Sequence, residues 1–564
     1  MLRFLLLAAV AAFIAAPAYA QPSDITAQDM SARTIKAHMA LLADDLLEGR
    51  EAGTRGEAIA ARYIAGEFAR LGLKPAAGHD DTYLQPVPLR QSALERASVE
   101  LVRPGGRDPF SARDLFSARD DVVVFGSGRE AVIDVDADMV FVGHGISAPD
   151  RGIDDFAGLN VEGKIVAVLG GPIPFLPSAE AAYYGDTGTK RRMAAAAGAI
   201  GIVRLWTPAN EARVPFDMIG DFATLPSLGL RMPTTLDDDI RGLLTASVIV
   251  NGEAAELLFE GAPRSAADVI AAGETGPVPG FPLPARLAAR IESRLSDELA
   301  STNVAGLLEG SDPARRDEVV VVTAHYDHVG YCGAEDAADR ICNGALDNAI
   351  GTAAMMDVAR RMATAERPPA RSVLFLAVGA EEKGLLGSEY FARAPTLGDR
   401  RIVANVNMDG AFPFYDFSDV IAFGAVQSEM GEMLADAIRP LGITVAPDPF
   451  PEQGIFTRSD QYSFVKRGVP ALFLYNGFTD TDGRNVGRAV WDTFLAKHYH
   501  QPSDDLDLPI RYDVAARLAD VFRRTVRTVA DAPEAPRWYE HSLFGQRFAP
   551  DAPKAARTEP TDPS

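Results

Sequence analysis

The stretch Ser372-Val-Leu-Phe-Leu-Ala-Val-Gly-Ala380 is an apolar run that is followed at once by two glutamates, Glu381 and Glu382. A run of this length and composition predicts a buried strand, because strands covered on both faces of a parallel sheet are continuously hydrophobic. Two like charges at the mouth of such a strand repel each other and lose hydration. A divalent metal ion compensates such a pair best, although acids are also favourable at the solvated N-terminus of a helix.

Further strand-like runs alternate with helical patterns over the C-terminal half of the chain. Strands are predicted at 318–324, 373–378, 402–408 and 470–475, and helices at 348–362, 429–441 and 513–529. This alternation predicts an α/β domain with a doubly wound, mostly parallel sheet, because parallel strands need the crossover connections that helices supply. We assign residues 281–548 to this domain.

The first 20 residues have the pattern of a secretory signal peptide. Arg3 precedes an apolar run, and Ala18-Tyr19-Ala20 fits a small-residue cleavage site. The mature chain is therefore expected to begin at Gln21 and to be periplasmic or secreted. The apolar run is short for a bilayer span, so an uncleaved anchor is the less favoured alternative, and no stable membrane span is expected after cleavage.

Residues 21–109 are assigned to the N-terminal part of the same α/β domain. They open with two predicted helices, of which Ser31 is expected to cap the first and Gly72 to end the second. At the other end of the chain, residues 549–564 are rich in proline, alanine and charge, a composition that predicts a disordered tail.

Residues 110–280 differ from both flanking regions. Short strand-like runs alternate there with glycine and proline turns, which predicts an inserted β-rich domain. The proline-rich segment 276–284 predicts a stiff linker out of this domain.

Charge and cysteine content exclude some classes of function. The formal charge is −23, from 55 basic and 78 acidic residues, which argues against a nucleic-acid partner. The only two cysteines, Cys332 and Cys342, are predicted to form a disulfide in an exported protein. Two cysteines are too few for a thiolate zinc cluster, whereas their number alone leaves a mixed cysteine and histidine site open.

Acidic and imidazole side chains follow the predicted strand ends, where sites in open α/β sheets lie. The candidates are His325, Asp327, Glu381, Glu382 and Asp409 after three strands, Asp347 before a helix and His500 in a late loop. Carboxylate and imidazole ligands suit Zn²⁺, and a shared carboxylate can hold two metal ions about 3.5–4 Å apart. Each candidate also has a structural alternative: Asp347 could cap its helix and Asp409 could lie in a turn.

Three other histidines, His144, His328 and His498, are interpreted as structural or solvated, because a lone histidine rarely is a metal ligand. The coincidence of several acids and imidazoles at successive strand ends is harder to explain without a metal. The sequence therefore predicts a metal site at the carboxyl edge of the sheet.

The segments that carry these residues resemble the M28 family of zinc aminopeptidases and carboxypeptidases. They read His325-Tyr-Asp327, Gly344-Ala-Leu-Asp347-Asn-Ala, Gly379-Ala-Glu381-Glu382-Lys-Gly-Leu-Leu-Gly-Ser388, Asn407-Met-Asp409 and His500-Gln-Pro-Ser-Asp504. The resemblance extends to residues 43–50 and 53–56. Residues 141–146, 154–156 and 163–166 resemble the protease-associated (PA) domain that is inserted in many members.

The resemblance implies a zinc exopeptidase fold, two zinc ions per chain and peptide substrates. Asp347 would bridge the two ions. His325 and Asp409 would complete one site, and Glu382 and His500 the other. Glu381 would be the general base, and Asp327 would orient His325.

Two positions depart from the family pattern. Leu346 stands beside the bridging residue where an acid is common, and Gln461 stands where many members have a histidine. The implied reaction is removal of N-terminal residues from peptides. The alternatives are a carboxypeptidase, an aminoacyl cyclotransferase of the glutaminyl cyclase type with a single zinc ion, and a non-catalytic receptor-like binding protein. The sequence predicts neither the preferred side chain nor the oligomeric state.

Overall fold

A computed structural model describes residues 26–78, 81–103, 106–109, 121–126, 128–232, 244 and 246–557. The predicted signal peptide therefore lies outside the described residues. Within them, no helix combines the length and the apolar character that crossing a membrane requires.

The described part of the chain contains fifteen α-helices and 21 strands, besides short 3₁₀ and π-helical turns. The helices are α1 (Ala27–Leu42), α2 (Arg55–Arg70), α3 (Ser178–Gly185), α4 (Thr187–Ala196), α5 (Pro208–Arg213), α6 (Phe216–Thr224), α7 (Gly252–Leu258), α8 (Ala266–Gly273), α9 (Ile350–Ala363), α10 (Leu386–Arg393), α11 (Met430–Ile438), α12 (Gln461–Val465), α13 (Gly487–Lys497), α14 (Tyr512–Asp531) and α15 (Leu543–Phe548). The strands are β1 (Lys74–Pro75), β2 (Leu84–Arg103), β3 (Gly106–Pro109), β4 (Val122–Val124), β5 (Val132–Phe141), β6 (Ser147–Ala148), β7 (Ile153–Asp154), β8 (Ile165–Leu169), β9 (Gly201–Leu205), β10 (Ser227–Leu230), β11 (Ala246–Val250), β12 (Phe281–Ser296), β13 (Ala300–Leu308), β14 (Glu318–His325), β15 (Gly330–Tyr331), β16 (Ile341–Cys342), β17 (Ser372–Val378), β18 (Arg401–Asn407), β19 (Asp419–Phe423), β20 (Thr444–Ala446) and β21 (Ala471–Asn476).

The main sheet has the strand order β13–β17–β14–β18–β21–β19–β20. Its four central strands, β17, β14, β18 and β21, run parallel to one another, and β13 and β19 flank them in the antiparallel sense. The predicted mostly parallel sheet is therefore confirmed, and its four predicted strands are these four.

Helices cover both faces of the main sheet. Val320 and Val322 of β14 point into a core that contains residues of α1, α9 and α14, whereas Val319 and Val321 point into a core with residues of α10 and α12. Because alternate side chains of a strand face opposite sides, a strand buried on both faces must be apolar throughout. The continuous run of valines in β14 is explained by this two-sided burial.

A second, mixed sheet lies in the inserted region and is joined to the main sheet by the long strand β2. The first residues of β2 pair with β13 of the main sheet, and the later residues pair with β10, β12 and β3. From β12 the second sheet continues through β5, β8, β9, β11 and β4. The region predicted to be β-rich thus contains helices α3 to α8 as well, and its sheet extends into residues 89–103 and 281–296, outside the expected limits of 110 and 280. Its assignment as a PA domain stays a prediction.

Three local predictions can be compared with the structure here. Thr26, not Ser31, caps α1, because the Thr26 side chain accepts from the Asp29 amide while Ser31 is buried inside the helix. Gly72 follows α2 in a left-handed conformation with φ +72°, as expected. The predicted linker 276–284 ends in a strand, since Phe281 and Pro282 open β12 and pair with β5.

The predicted tail falls partly within the described residues. In the structure, residues 549–557 lie against the α/β domain, where the Ala555 amide donates to the Trp538 carbonyl oxygen and the Ala555 side chain is buried. The composition-based expectation of disorder missed this contact because it weighs average hydrophobicity and not a single buried residue. Cys332 and Cys342 form a disulfide with a Cα–Cα separation of 5.8 Å, across the hairpin of β15 and β16.

Candidate metal centre

The carboxyl ends of three parallel strands bring the predicted ligands to one edge of the main sheet. His325 is the last residue of β14 and pairs in register with Val378, the last residue of β17, which leads to Glu381 and Glu382. On the other side of β14, Thr323 pairs with Asn407, the last residue of β18, two residues before Asp409. The register alone therefore places these side chains together.

Asp347 lies at the centre of the cluster, with one carboxylate oxygen toward each of two histidines. His325 Nε2 is 3.3 Å from Asp347 Oδ1 and 3.1 Å from Asp409 Oδ1. His500 Nε2 is 3.3 Å from Asp347 Oδ2 and 3.1 Å from Glu382 Oε2. All five predicted ligands are thus brought together, in two groups that share Asp347.

The spacing and the chemistry of the donor atoms suit zinc ions. The buried Nε2 atom of His500 has no hydrogen-bond partner among the described residues, although two carboxylate oxygens lie close to it. Donors arranged tetrahedrally at the usual zinc–ligand distances of about 2.0–2.2 Å lie about 3.3–3.6 Å from one another, close to the separations in both groups. A set of imidazole and carboxylate donors also suits zinc by its chemistry.

Two side chains hold the turn that carries Asp347. Asp504 accepts hydrogen bonds from the amides of Leu346, at 2.9 Å, and Asp347, at 3.1 Å. Asn348 donates to the carbonyl oxygens of His325, at 3.2 Å, and Met408, at 2.9 Å. Asn348 therefore ties the Asp347 turn to the ends of β14 and β18.

Asp409 is oriented by a buried chain of polar side chains that includes Gln461. Ser459 donates to Asp409 Oδ2, and Asn407 Nδ2 donates to Ser459 Oγ at 2.8 Å and to Gln461 Oε1 at 2.9 Å. Gln461 in turn donates to the Phe456 carbonyl oxygen at 2.8 Å. Gln461 thus supports the strand end that carries Asp409.

Asp327, which was expected to orient His325, contacts that ring through its backbone. With its proton on Nδ1, His325 donates to the Asp327 carbonyl oxygen at 3.2 Å, which leaves Nε2 free to face the carboxylates, whereas the nearest Asp327 carboxylate oxygen is 3.9 Å away. The Asp327 carboxylate accepts from the amides of Glu381, at 3.1 Å, and Glu382, at 3.4 Å. It therefore holds the turn that carries both glutamates.

His328, interpreted from the sequence as structural, lies inside the site. Its Nδ1 is 2.7 Å from Glu382 Oε1, and it can join Asp347, Glu382 and His500 in a single group of ligand atoms. Its place three residues after His325 was the signal that could have pointed to it. His144 and His498 lie elsewhere: His144 packs against Phe175, and His498 contacts Ser503.

The two glutamates of the opening stretch are in different environments. Burial raises the pKa of Glu381 well above its ordinary value; the nearby His325 acts to lower it, but the carboxylates Glu382 and Asp409 raise it further. Burial and Asp347 also act to raise the pKa of Glu382, but His328 and His500 outweigh them and lower it to about 2. Within the described residues, the Glu381 carboxylate has no hydrogen bond or ion pair and lines the cavity, so it is free to act on a bound molecule.

The cluster opens into a cavity of about 170 Å³ with a largely aromatic wall. The aromatic residues that line it are Phe412, Phe473, Tyr475, Trp491, Phe494 and Tyr499. The Tyr499 ring stacks on the His500 ring with 3.9 Å between centroids, and no sequence argument had pointed to this tyrosine. Its position directly before His500 is the signal that could have done so.

One wall of the cavity is a loop that rests on the inserted region. Gln453, Ile455 and Arg458 of this loop line the cavity. Behind them, Gly454 has φ +59° and passes so close to α3 that a Cβ atom there would collide with Ala182. The inserted region therefore supports a wall of the cavity.

Arg50 is a buried arginine that holds together the segments leading into the cluster. Its buried guanidinium donates to the carbonyl oxygens of Leu42, Tyr326, Asn343 and Gly344. Burial lowers the pKa of this arginine to about 10, so it stays charged at neutral pH. The arginine joins α1, the end of β14 and the start of the Asp347 turn.

Replacement of Arg50 by Met is expected to lower the free energy of unfolding by about 3 kcal/mol, because buried carbonyl groups lose their donors. Denaturant unfolding of both proteins measures the difference. Arg62→Met, on the exposed side of α2, is the matched control and should change stability by less than about 0.5 kcal/mol. Equal stability of the two variants would show that Arg50 does not hold these segments.

Part of the chain is similar to known proteins. Residues 303–526 match the model of the family described as Peptidase family M28. A "Probable zinc metalloprotease" of Pyricularia oryzae is 40% identical over 104 residues, 18% of this chain and 19% of that protein. "Aminopeptidase YwaD" of Bacillus subtilis is 33% identical over 110 residues, 19% of this chain and 21% of that protein. The chain thus matches about a fifth of the length of these two relatives.

Among solved structures, the "Aminopeptidase from Aneurinibacillus sp. strain AM-1" is 20% identical, with a TM-score of 0.47 over 89% of this chain and 95% of that one. A zinc aminopeptidase from Bacillus subtilis is also 20% identical, with a TM-score of 0.41 over 88% and 94%.

Proposed function

Since residues 303–526 form a domain of peptidase family M28, we propose that the protein is a dizinc aminopeptidase that removes N-terminal residues from peptides. The observation that carries the proposal is the placement of Asp347, whose two oxygens face His325 and His500 at the same distance of 3.3 Å. This arrangement suits a carboxylate shared by two metal ions. The relative named aminopeptidase supports the same reaction.

The two zinc ions would be held by the two groups of side chains that share Asp347. His325 and Asp409 would complete one group, and Glu382 and His500 the other. When bound, zinc ions lower the pKa of a water molecule and polarise a carbonyl oxygen, which is the chemistry that amide hydrolysis needs.

Glu381 is assigned the role of general base. Its carboxylate lines the cavity and lies within 4.8 Å of ligand atoms of His325 and Glu382. Among the described residues, it forms no ion pair. It would accept the proton of the attacking water and then deliver that proton to the leaving amine. The backbone amides of Glu381 and Glu382 donate hydrogen bonds to the Asp327 carboxylate. These bonds fix the position of the base relative to the end of β17.

Tyr499 is assigned a role in stabilising the oxyanion that forms at the scissile carbonyl. It lines the cavity beside His500, and burial together with nearby carboxylates raises its pKa. The hydroxyl therefore keeps its proton and can donate a hydrogen bond to a negative oxygen.

Tyr499→Phe is expected to lower kcat by about a hundredfold with little change in KM, because the lost hydrogen bond is made mainly in the transition state. Steady-state kinetics on a single peptide substrate measures both constants. Tyr331→Phe, an exposed tyrosine of the β15–β16 hairpin, is the control and should match the wild type. An unchanged kcat in Tyr499→Phe would remove Tyr499 from the reaction.

A substrate panel tests the proposed reaction. Peptides with a free N-terminus should release their first amino acid, whereas the same peptides with an acetylated N-terminus should not. A chelator should abolish the release, and Zn²⁺ should restore it. Cleavage of the acetylated peptides from their C-terminus would favour a carboxypeptidase, and cyclisation of N-terminal glutamine would favour a cyclotransferase.

A further inference from the structure

Arg458 is an unpaired cation at the wall of the catalytic cavity. It has no ion pair or side-chain hydrogen bond with any described residue, and among the described residues that line the cavity it is the single lysine or arginine. Most other arginines of this domain are paired, as Arg393 is with Glu389 and Arg511 with Asp416. In a chain of net charge −23, an arginine that lies beside a site and has no acidic partner is a candidate for substrate recognition.

The backbone of Arg458 is fixed although its side chain is exposed. Its amide donates to the Ile455 carbonyl oxygen at 3.0 Å, and the next residue, Ser459, donates to the predicted metal ligand Asp409. Arg458 is therefore the neighbour in sequence of a residue that contacts the candidate metal cluster. A long side chain on a fixed backbone can reach a group attached to a substrate that the cluster holds.

The loop before Arg458 is braced by the inserted region. Gly454 packs on Ala182 of α3, and Tyr183 of the same helix accepts a hydrogen bond from Arg547 at 2.9 Å and packs on Phe548 with 5.8 Å between ring centroids. The loop is therefore packed against the rest of the fold, and a loop held in this way loses less entropy when a substrate binds.

The rest of the cavity limits what the guanidinium can meet. Its other walls are aromatic or belong to the acidic cluster, and its volume of about 170 Å³ is below the range of about 300–1,000 Å³ usual for drug-sized ligands. A substrate therefore places only one or two residues near the metals. An anionic group on those residues would be repelled by the acidic cluster and attracted by Arg458.

We propose that Arg458 binds a carboxylate of the substrate, either the C-terminal carboxylate of a dipeptide or the side chain of an N-terminal acidic residue. This inference rests on the proposed aminopeptidase function. A guanidinium binds a carboxylate through two parallel hydrogen bonds, which gives both attraction and orientation. The enzyme then prefers very short or acidic peptides to neutral extended ones.

Two pairs of substrates separate the sources of the carboxylate. Leu-Gly is compared with Leu-Gly-amide, and Glu-Gly-amide with Gln-Gly-amide, by kcat/KM at constant ionic strength. In one of the two pairs the wild type should prefer the acid by about tenfold to a hundredfold. Arg458→Gln should reduce that preference to about twofold or less, by lowering the rate on the acidic member far more than the rate on the neutral member.

Two further variants make the result specific. Arg458→Lys should retain part of the preference, because it keeps the charge but not the paired hydrogen bonds. Arg33→Gln, on the exposed face of α1, should behave as the wild type. Equal ratios in the wild type and Arg458→Gln would overturn the inference while hydrolysis of the neutral peptides upholds the proposed function. If the wild type hydrolyses none of the four substrates, the aminopeptidase function itself is overturned.

Discussion

Glu381→Gln is expected to lower kcat by about 10²–10⁴-fold while the zinc content of the protein stays the same. The amide has nearly the shape of the carboxylate, but it cannot accept the proton of the attacking water. Glu381 lines the cavity and has no hydrogen bond or ion pair among the described residues, so the substitution breaks no structural contact of its side chain. Turnover and bound zinc, measured on the same preparation, test the expectation together.

The neighbouring glutamate provides the matched comparison. Glu382 Oε2 lies 3.1 Å from His500 Nε2, and Glu382 Oε1 lies 2.7 Å from His328 Nδ1. Glu382→Gln should therefore lose zinc as well as activity. If Glu381→Gln lost zinc and Glu382→Gln kept it, the assigned roles of the two glutamates would have to be exchanged. A near-normal rate in Glu381→Gln would remove the general base from the mechanism.

Asp347→Asn is expected to lower kcat/KM by about 10³-fold or more and to reduce zinc binding in both groups. The reason is that each carboxylate oxygen faces a different histidine, at 3.3 Å in both cases. An asparagine presents one oxygen and one NH₂ group, and the NH₂ group cannot face a cation. In the proposed dizinc centre, loss of this one side chain affects both metal positions, whereas loss of Asp409 affects one.

A control separates this effect from a general loss of charge. Asp436→Asn, on α11, removes an exposed acid whose partner is Arg439 and should leave zinc content and activity unchanged. Asp409→Asn should retain more zinc than Asp347→Asn. Equal zinc loss in Asp409→Asn and Asp347→Asn would show that Asp347 serves only one metal position.

The central strands and the grouping of the candidate ligands could be predicted because their signals are local. Each parallel strand is an unbroken apolar run, and each ligand group follows such a run within a few residues, as His325 and Glu382 do. The strands β2 and β12 gave no such signal. They form a sheet with one face open to solvent, so buried and exposed residues alternate along β12, and prolines interrupt both strands.

The supporting contacts of the site could not be predicted from the sequence because they join distant segments. Asp504 holds the amide of Asp347 across 157 positions, and Arg50 reaches the Tyr326 carbonyl across 276. No periodicity connects such residues. The same holds for Arg458, whose importance depends on the lack of a partner in the folded chain, and for the support that α3 gives to its loop.

Zinc titration of metal-free protein tests the central claim most directly. Bound zinc per chain and the rate of N-terminal residue release are measured after each addition. The shared position of Asp347 between two groups leads us to expect full activity and saturation at two zinc ions per chain. Full activity at one zinc ion per chain, or activity in the metal-free protein, would contradict the dizinc centre.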